Sequence, residues 1–166
     1  MIRWTCLVLL LGVLGCGGGG DGQFVGRTAP DFTLTAVGGQ DVRLADLRGK
    51  AVIVDFWATW CPPCQALMPE LQALYDQYDG RLEIVAVSVD GDPATMVPPF
   101  AAAHGYTFTL TADPRGQDVA RAWGGTQGIP CTYLVDPDGV VRYHWLGKHE
   151  RADYERAIRD VLGGGA

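Results

Sequence analysis

The chain has 166 residues, of which 48% are hydrophobic and 19% charged, and its formal net charge is −6. This length and composition fit one globular domain with a hydrophobic core and exclude an intrinsically disordered chain. The acidic balance, without a basic stripe or groove, argues against nucleic acid as a partner.

The first residues have the composition of an export signal. In "MIRWTCLVLLLGVLGC", Arg3 precedes an apolar run that ends at the small residue Gly15, immediately before Cys16. The run is too short to cross a bilayer comfortably, which is typical of a cleaved signal. Its end, "VLGC", resembles the lipobox of bacterial lipoproteins, in which cleavage leaves the cysteine first and a lipid is attached to it. We therefore predict a signal peptide over residues 1–15 and lipidation of Cys16; ordinary signal cleavage a little further along is the alternative.

The rest of the chain divides into a short tether and one domain. Residues 16–23 contain "GGGGDG", a composition typical of a flexible linker, and residues 24–166 have the pattern of a folded domain. With the lipid, this organisation predicts a domain on the periplasmic side of a bacterial membrane, outside the cytoplasm. Its cysteines are Cys61, Cys64 and Cys131, which indicates one working pair and one further thiol rather than a disulfide-stapled scaffold.

The apolar patterns of the domain alternate between strand and helix. "DFTLTAVGGQDVRL" alternates apolar and polar residues about Gly-Gly and predicts a hairpin over 32–37 and 42–44. "KAVIVDFWA" and "RLEIVAVSVD" predict strands buried on both faces, and the spacing between them predicts a helix from Cys64 to about Tyr78. The remaining predictions are a short helix after Pro99, a strand over 108–112, one or two helical turns over 116–124, a hairpin over 131–147 that turns at 136–139, and a C-terminal helix over 151–164.

These elements predict an α/β fold. A strand, a helix and a second strand imply a parallel crossover, whereas the later hairpin adds antiparallel strands. The sequence thus predicts a central mixed sheet with helices on both faces and an N-terminal β-hairpin extension.

The segment "WATWCPPCQALMP" (57–69) carries the most chemistry. Because Cys61 follows a strand and precedes a helix, it lies at a helix N-terminus, where unpaired N–H groups and the helix dipole stabilise a thiolate. Pro62 and Pro63 suit the first helical turn, which needs no amide donors. We expect Cys61 to be the exposed attacking sulfur and Cys64, one turn further, to be the shielded sulfur that resolves the mixed disulfide.

A C-x2-C spacing is also compatible with a metal site or a structural disulfide. Zinc requires a second pair of ligands, and the H-x4-H formed by His144 and His149 lies far from Cys64 in the sequence. A purely structural Cys61–Cys64 disulfide would close so small a loop that its stabilisation would be slight. The residues therefore favour a redox pair, and no metal site is predicted.

Three motifs resemble those of the thioredoxin superfamily. "VDFWATWCPPC" resembles the thioredoxin active-site segment, Pro69 matches the proline that kinks the active-site helix, and "GIPCTYLVDPDG" resembles the second hallmark, a cis-proline that opens a strand. With the "APDFTL" hairpin and the export signal, the resemblance points to the TlpA/ResA-like branch of membrane-anchored thiol–disulfide oxidoreductases. It implies a thioredoxin-like fold, and disulfide exchange by the cysteines themselves without a bound cofactor.

The resemblance also implies roles for residues around the cysteines. Pro130 matches the cis-proline beside the sulfurs, which presents the backbone of Ile129 so that a partner's extended peptide can pair with it as an added strand. Trp60 is expected on the contact surface, and Pro62 and Pro63 complete the predicted substrate-binding set.

Asp55 is predicted to act as a catalytic acid–base group. An acidic residue within "AVIVDFWA" is desolvated, which raises its pKa. Its position matches the buried aspartate of thioredoxin, proposed there to take the proton of the resolving cysteine. The alternative is an aspartate that reaches solvent at a sheet edge.

Trp57, Leu67 and Cys131 need separate interpretation. Trp57 is expected in the core, because large aromatic residues in such a segment mostly pack. Leu67 stands where ResA-like proteins carry a functional glutamate, so that acid–base role is absent or moved, with Asp55 as a candidate. Cys131 follows the cis-proline, and we interpret it as a buried apolar filler on a strand rather than as a third redox thiol.

The predicted function is reduction of protein disulfides outside the cytoplasm, with a role of the cytochrome c maturation type as one option. The expected partners are disulfide-containing proteins, a membrane electron donor and the membrane itself through the lipid anchor, and the chain is expected to be a monomer. Two other functions fit a related fold. A copper carrier would use C-x3-C with a distal histidine, and a peroxiredoxin-like peroxidase would use T-x-x-C; this sequence has neither motif.

Overall fold

The computed structural model describes residues 24–124 and 127–163. The predicted signal peptide, the tether and the lipidation site Cys16 lie outside these residues. The strands are β1 (Thr33–Thr35), β2 (Asp41–Arg43), β3 (Ala51–Trp57), β4 (Leu82–Ser88), β5 (Thr109–Leu110), β6 (Cys131–Val135) and β7 (Val141–Leu146); the helices are α1 (Pro62–Gln77), α2 (Pro93–His104), α3 (Gly116–Ala122) and α4 (Arg151–Val161), with a short 3-10 helix at Leu44–Leu47.

Five strands form one mixed sheet in the order β5-β4-β3-β6-β7. Strands β3, β4 and β5 run parallel, whereas β6 runs antiparallel to both β3 and β7. Strands β1 and β2 form a separate antiparallel hairpin near the N-terminus. The unit β3-α1-β4 is the predicted parallel crossover, so the α/β fold with a central mixed sheet and an N-terminal hairpin is confirmed.

Strand β3 lies at the centre of the sheet and is buried along its whole length. Ile53 and Trp57 point to the face covered by α1, α2 and α4, whereas Val54 and Phe56 point to the face covered by α3 and the N-terminal hairpin. Because both faces are covered, the strand has to be apolar throughout, and each fully buried aliphatic side chain stabilises the fold by about 1.5–3 kcal/mol. The alternation also places Asp55 on the α1 face.

Helix α1 begins at Pro62, two residues before the predicted start. Cys61 is its N-cap residue, and the fixed backbone angle of proline is already helical at the first two positions. The helix continues through Pro69 and buries one apolar face against the sheet: Cys64, Leu67, Met68, Leu71 and Leu74.

Helix α2 begins at Pro93, so the prediction that it starts after Pro99 is wrong. The side chain of Asp92 accepts a hydrogen bond from the N–H of Thr95 at 3.4 Å and caps the first turn. Prolines inside a helix remove hydrogen bonds, but here the fully buried Val97 and the ring of Phe100, which packs on Trp57 at 5.0 Å, fix the helix to the core. Tertiary packing therefore carries the helix across Pro98 and Pro99.

Within residues 24–124 and 127–163, no helix combines the length and the apolar character needed to cross a membrane.

Candidate active site

Cys61 and Cys64 form a disulfide, with the two sulfurs 2.09 Å apart. The pair lies where β3 ends and α1 begins. The N–H of Cys64 donates to Sγ of Cys61 at 3.2 Å, so this sulfur caps the helix in the place where a thiolate would be stabilised. Pro62 and Pro63, the first two residues of α1, are exposed beside the disulfide.

Cys61 is only 2% exposed in the disulfide form and Cys64 is fully buried. The expectation of an exposed Cys61 is therefore wrong for the oxidised protein. The cause is a segment distant in sequence: the carbonyl oxygen of Ile129 lies 3.7 Å from Sγ of Cys61 and helps to cover it. Trp60, in contrast, is 62% exposed next to the cysteines, as expected of a contact residue.

The Ile129–Pro130 peptide bond is cis, as the resemblance predicted. Pro130 is buried, and its carbonyl oxygen accepts a hydrogen bond from the N–H of Gly147 at 2.8 Å. This bond fixes the start of β6 to the end of β7 and leaves Ile129 half-buried beside Cys61. The fold thus brings together the two segments from which the predicted substrate-binding residues come.

Asp55 is buried, with 1% of its surface exposed, so the alternative of an exposed sheet-edge aspartate is excluded. The hydroxyl of Thr132, its cross-strand neighbour on β6, donates to the carboxyl group at 2.6 Å. Burial raises the pKa of Asp55 to about 7, and the hydrogen bond from Thr132 opposes part of this rise. A carboxyl group with such a pKa can both accept and release a proton near neutral pH.

Tyr154 and Glu70 extend the polar groups on the same face of the sheet. The Tyr154 side chain is fully buried, and burial, together with the negative charges of Asp55 and Glu70, raises its pKa to about 12. Glu70 on α1 pairs with Lys148, whose Nζ lies 2.7 Å from the carboxylate. Tyr154 is therefore a neutral phenol at physiological pH, and the ion pair lies nearer the surface.

Cys131 lies on the opposite face of the sheet from the disulfide. It packs in the cluster that contains Phe56 and Tyr133, whereas Cys61 and Cys64 belong to the cluster on the α1 face. Its sulfur lies 3.3 Å from Nε2 of His144. Burial raises the pKa of the Cys131 thiol to about 11, so the thiol is protonated at neutral pH. The predicted placement of Cys131 as a buried residue on a strand is confirmed, and its side chain points away from the pair.

Asp90 is a site residue that the sequence analysis did not identify. Its carboxylate is 2% exposed and accepts hydrogen bonds from the N–H and hydroxyl of Thr59, two residues before Cys61. An available signal was its position: Asp90 directly follows a buried strand, and β3 and β4 are parallel neighbours whose carboxyl ends meet at one edge.

Comparison with known proteins also indicates a thiol–disulfide oxidoreductase. Residues 25–144 match the AhpC/TSA family. Thiol-disulfide oxidoreductase ResA of Geobacillus kaustophilus is 41% identical over 138 residues, covering 82% of this chain and 78% of the relative. Thioredoxin-like protein YneN of Bacillus subtilis is 33% identical over 135 residues, covering 80% of this chain and 78% of the relative.

The fold comparison extends this result. A crystal structure of a thiol:disulfide interchange protein of the thioredoxin family from Chlorobium tepidum has a TM-score of 0.71 and 28% identity, covering 86% of this chain and 99% of that chain. The fold, the disulfide at the N-terminus of α1 and the named relatives all indicate the same family and the same chemistry. The chain belongs to the AhpC/TSA family and is a thiol–disulfide oxidoreductase with a thioredoxin-like fold.

Proposed function

We propose that the protein reduces disulfides of other proteins outside the cytoplasm, anchored to a bacterial membrane through a lipid on Cys16. The observation that carries the proposal is the arrangement of the redox pair: the exposed Trp60 and the half-buried Ile129 flank a disulfide of which Cys61 is 2% exposed and Cys64 is fully buried. An extended segment of a partner fits such a site better than a compact small molecule does, because backbone and aromatic surface are offered together. The relatives named as thiol–disulfide oxidoreductases support the chemistry.

The reaction consists of two thiol–disulfide exchanges. The Cys61 thiolate attacks one sulfur of the partner disulfide, forms a mixed disulfide and releases the other partner sulfur as a thiolate. Cys64 then loses its proton to Asp55 and attacks Sγ of Cys61, which re-forms the Cys61–Cys64 disulfide and releases the second partner sulfur. Two electrons pass to the partner, and a dithiol donor at the membrane must return them to the cysteines. Apocytochrome c cysteines are one class of substrate that fits such a reductase.

Substrate trapping tests the proposal. The full-length Cys64→Ala variant, expressed in its host, should accumulate mixed disulfides between Cys61 and partner proteins, because the resolving sulfur is missing. The matched control is Cys61→Ala, which keeps a buried cysteine but loses the nucleophile and should trap nothing. Equal adducts in both variants would contradict the assignment of roles.

Two further measurements test the direction of electron transfer and the location of the protein. Rapid acid quenching followed by alkylation reports the steady-state redox form, and a reductase should be mostly in the dithiol form. A mostly oxidised Cys61–Cys64 pair would indicate an oxidase instead. Cys16→Ser should move the protein from the membrane fraction to the soluble extracytoplasmic fraction, and its retention in the membrane would contradict the lipid anchor.

A further inference from the structure

The turn that carries the nucleophile is short and tightly bonded. Residues 58–61 connect β3 to α1, and the N–H of Cys61 donates to the carbonyl oxygen of Ala58 at 3.2 Å. Trp60 lies within this turn and is 62% exposed. The position of Thr59 therefore determines where both Trp60 and Cys61 are held.

Each polar group of Thr59 has a partner. Its N–H donates to the two carboxylate oxygens of Asp90 at 3.2 and 3.1 Å, and its hydroxyl donates to one of them at 2.8 Å. Its carbonyl oxygen accepts a hydrogen bond from Nε2 of Gln65, on α1, at 2.5 Å. Thr59 is thus fixed between the end of β4 and the first turns of α1.

The carboxylate of Asp90 is itself held rigidly. The hydroxyl of Ser88 donates to it at 2.8 Å, and the N–H of Asp90 donates back to that hydroxyl oxygen at 3.1 Å. The N–H of Val89 donates to the carbonyl oxygen of Trp57 at 2.8 Å, which continues the β3–β4 ladder up to this point. At the N-terminus of α3, a Cβ on Gly116 would lie 2.1 Å from the carbonyl oxygen of Ser88, so the helix packs directly on the same strand end.

We propose that Asp90 is a positioning residue for the nucleophile, which holds Thr59 and thereby keeps Cys61 aligned with the N-terminus of α1. A buried carboxylate is costly unless donors satisfy it, and hydrogen bonds to a charged acceptor are about twice as strong as those between neutral groups. Three of the bonds to this carboxylate come from the turn before Cys61, and one from Ser88. Most of the hydrogen bonds that satisfy the Asp90 carboxylate therefore fix the turn before Cys61.

The alignment matters because Cys61 depends on the helix N-terminus. Its sulfur lies 3.2 Å from the N–H of Cys64, a contact that favours the thiolate once the disulfide is reduced. If the turn loosens, the sulfur leaves this position and the pKa of Cys61 rises. Removing a nearby negative charge would have the opposite effect, so the sign of the change separates positioning from simple charge repulsion. Other ionisable groups on this face of the sheet, among them Asp55, Tyr154 and the Glu70–Lys148 pair, stay unchanged in the test.

The test uses the reduced protein and the pH dependence of Cys61 alkylation by iodoacetamide. Asp90→Ala is expected to raise the pKa of Cys61 by about one unit and to slow the attack of Cys61 on a disulfide peptide about tenfold. Asp90→Asn keeps an oxygen that accepts from Thr59, so its rate should stay within about threefold of the wild type. A lower pKa in Asp90→Ala would show that the charge, and not the geometry, acts on Cys61, and would overturn the proposal.

A matched control separates this effect from general loss of stability. Asp136 is also buried and holds a turn, through the N–H of Val140 at 2.8 Å and the guanidinium of Arg142 at 2.5 Å. It follows Val135, which pairs with Val52 near the start of β3, so it lies at the sheet end away from the cysteines. Asp136→Ala should lower the unfolding midpoint without moving the pKa of Cys61. The same Cys61 pKa and rate in Asp90→Ala as in Asp136→Ala would overturn the proposal.

The Thr59 side chain gives a second, milder test that does not require Asp90→Ala to fold. Thr59→Val removes the hydroxyl donor and keeps the shape, and it should raise the pKa of Cys61 and slow its reaction about threefold. Thr59→Ser keeps the donor and should restore wild-type behaviour. Identical pH profiles for Thr59→Val and Thr59→Ser would contradict the role of this hydrogen bond.

Discussion

A carboxyl group in the middle of a buried strand has to be neutral, hydrogen-bonded or both. Asp55 has one donor, Thr132 at 2.6 Å, and burial shifts its pKa from 3.8 to about 7. This value suits a group that takes the proton of Cys64 during resolution and returns it afterwards. Asp55 thus has a cost to the fold, and the proposed mechanism gives it a use in the reaction.

Asp55→Asn should slow the resolving step about tenfold or more at pH 7, because the proton acceptor for Cys64 is lost. Single-turnover rates between pH 5 and 9 would show the wild-type rate rising through pH 7 and the variant rate without that rise. Asp113→Asn is the control, since Asp113 is also buried but pairs with Arg115. An unchanged pH profile in Asp55→Asn would make Asp55 a structural residue only.

The same pKa predicts a pH dependence of stability. Between about pH 4 and pH 7 the folded protein keeps the Asp55 proton that the unfolded chain has released, so the free energy of unfolding falls as the pH rises through this range. The loss is at most about 4 kcal/mol. Asp55→Asn should be more stable than the wild type at pH 8 and lose this advantage near pH 4, as measured by urea unfolding.

Asp113→Asn should change the free energy of unfolding at pH 8 in the opposite direction. The hydrogen bond from Arg115 holds the pKa of Asp113 well below its usual range, so its contribution to stability is present above about pH 4 and is lost in acid. This variant should therefore be less stable than the wild type at pH 8. An Asp113→Asn variant as stable as the wild type at pH 8, or more stable, would contradict this assignment.

Cys131→Ala should retain most of the disulfide reductase activity and leave the reduction potential of the Cys61–Cys64 pair nearly unchanged. The reason is that Cys131 lies on the other face of the sheet as a buried, protonated thiol. Insulin reduction and a glutathione redox titration measure the two quantities. A tenfold loss of turnover, or a Cys64–Cys131 bridge in the oxidised protein, would show that Cys131 takes part in exchange.

Among the elements, helix α1 matters most for the chemistry because Cys61 is its N-cap residue. We expect Cys61 to have a pKa below the usual value for cysteine and to be alkylated before Cys64 in the reduced protein. Limiting iodoacetamide followed by peptide mapping tests this order. Cys64→Ala isolates the Cys61 titration, and preferential labelling of Cys64 in the wild type would reverse the assignment.

The elements also show what the sequence can and cannot predict. Long buried strands such as β3 and β4 have a local apolar signature, and the β6–β7 hairpin turns at Asp136–Gly139 as predicted, where Gly139 has a φ of 78°. The start of α2 was missed because Pro98 and Pro99 are local helix breakers, whereas Val97 is held by the core. The burial of Cys61 depends on Ile129, which is distant in sequence, and the Thr59–Asp90 contact depends on the pairing of β3 with β4. Neither contact follows from the local pattern around Cys61.

At the scale of the whole molecule, the described residues from 24 to 163 contain the five-stranded sheet, four helices and the redox pair. Removal of residues 1–23 should therefore leave a folded domain that reduces insulin disulfides at the wild-type rate. If the proposed lipid anchor on Cys16 holds the domain at the membrane, its activity toward a membrane-bound donor should fall on this truncation. Loss of the cooperative thermal transition in the truncated chain would contradict this division.

The placement of Cys131 has a consequence for biogenesis. In the native fold the sheet separates Cys131 from Cys61 and Cys64, so only one pairing can form. In an unfolded chain no sheet exists, and any two of Cys61, Cys64 and Cys131 can be oxidised together. A bridge to Cys131 would hold residues from opposite faces against each other and block assembly of β3 with β6. The order of events during folding therefore matters: the chain must complete its sheet before an oxidant reaches it, or an isomerase must correct the product.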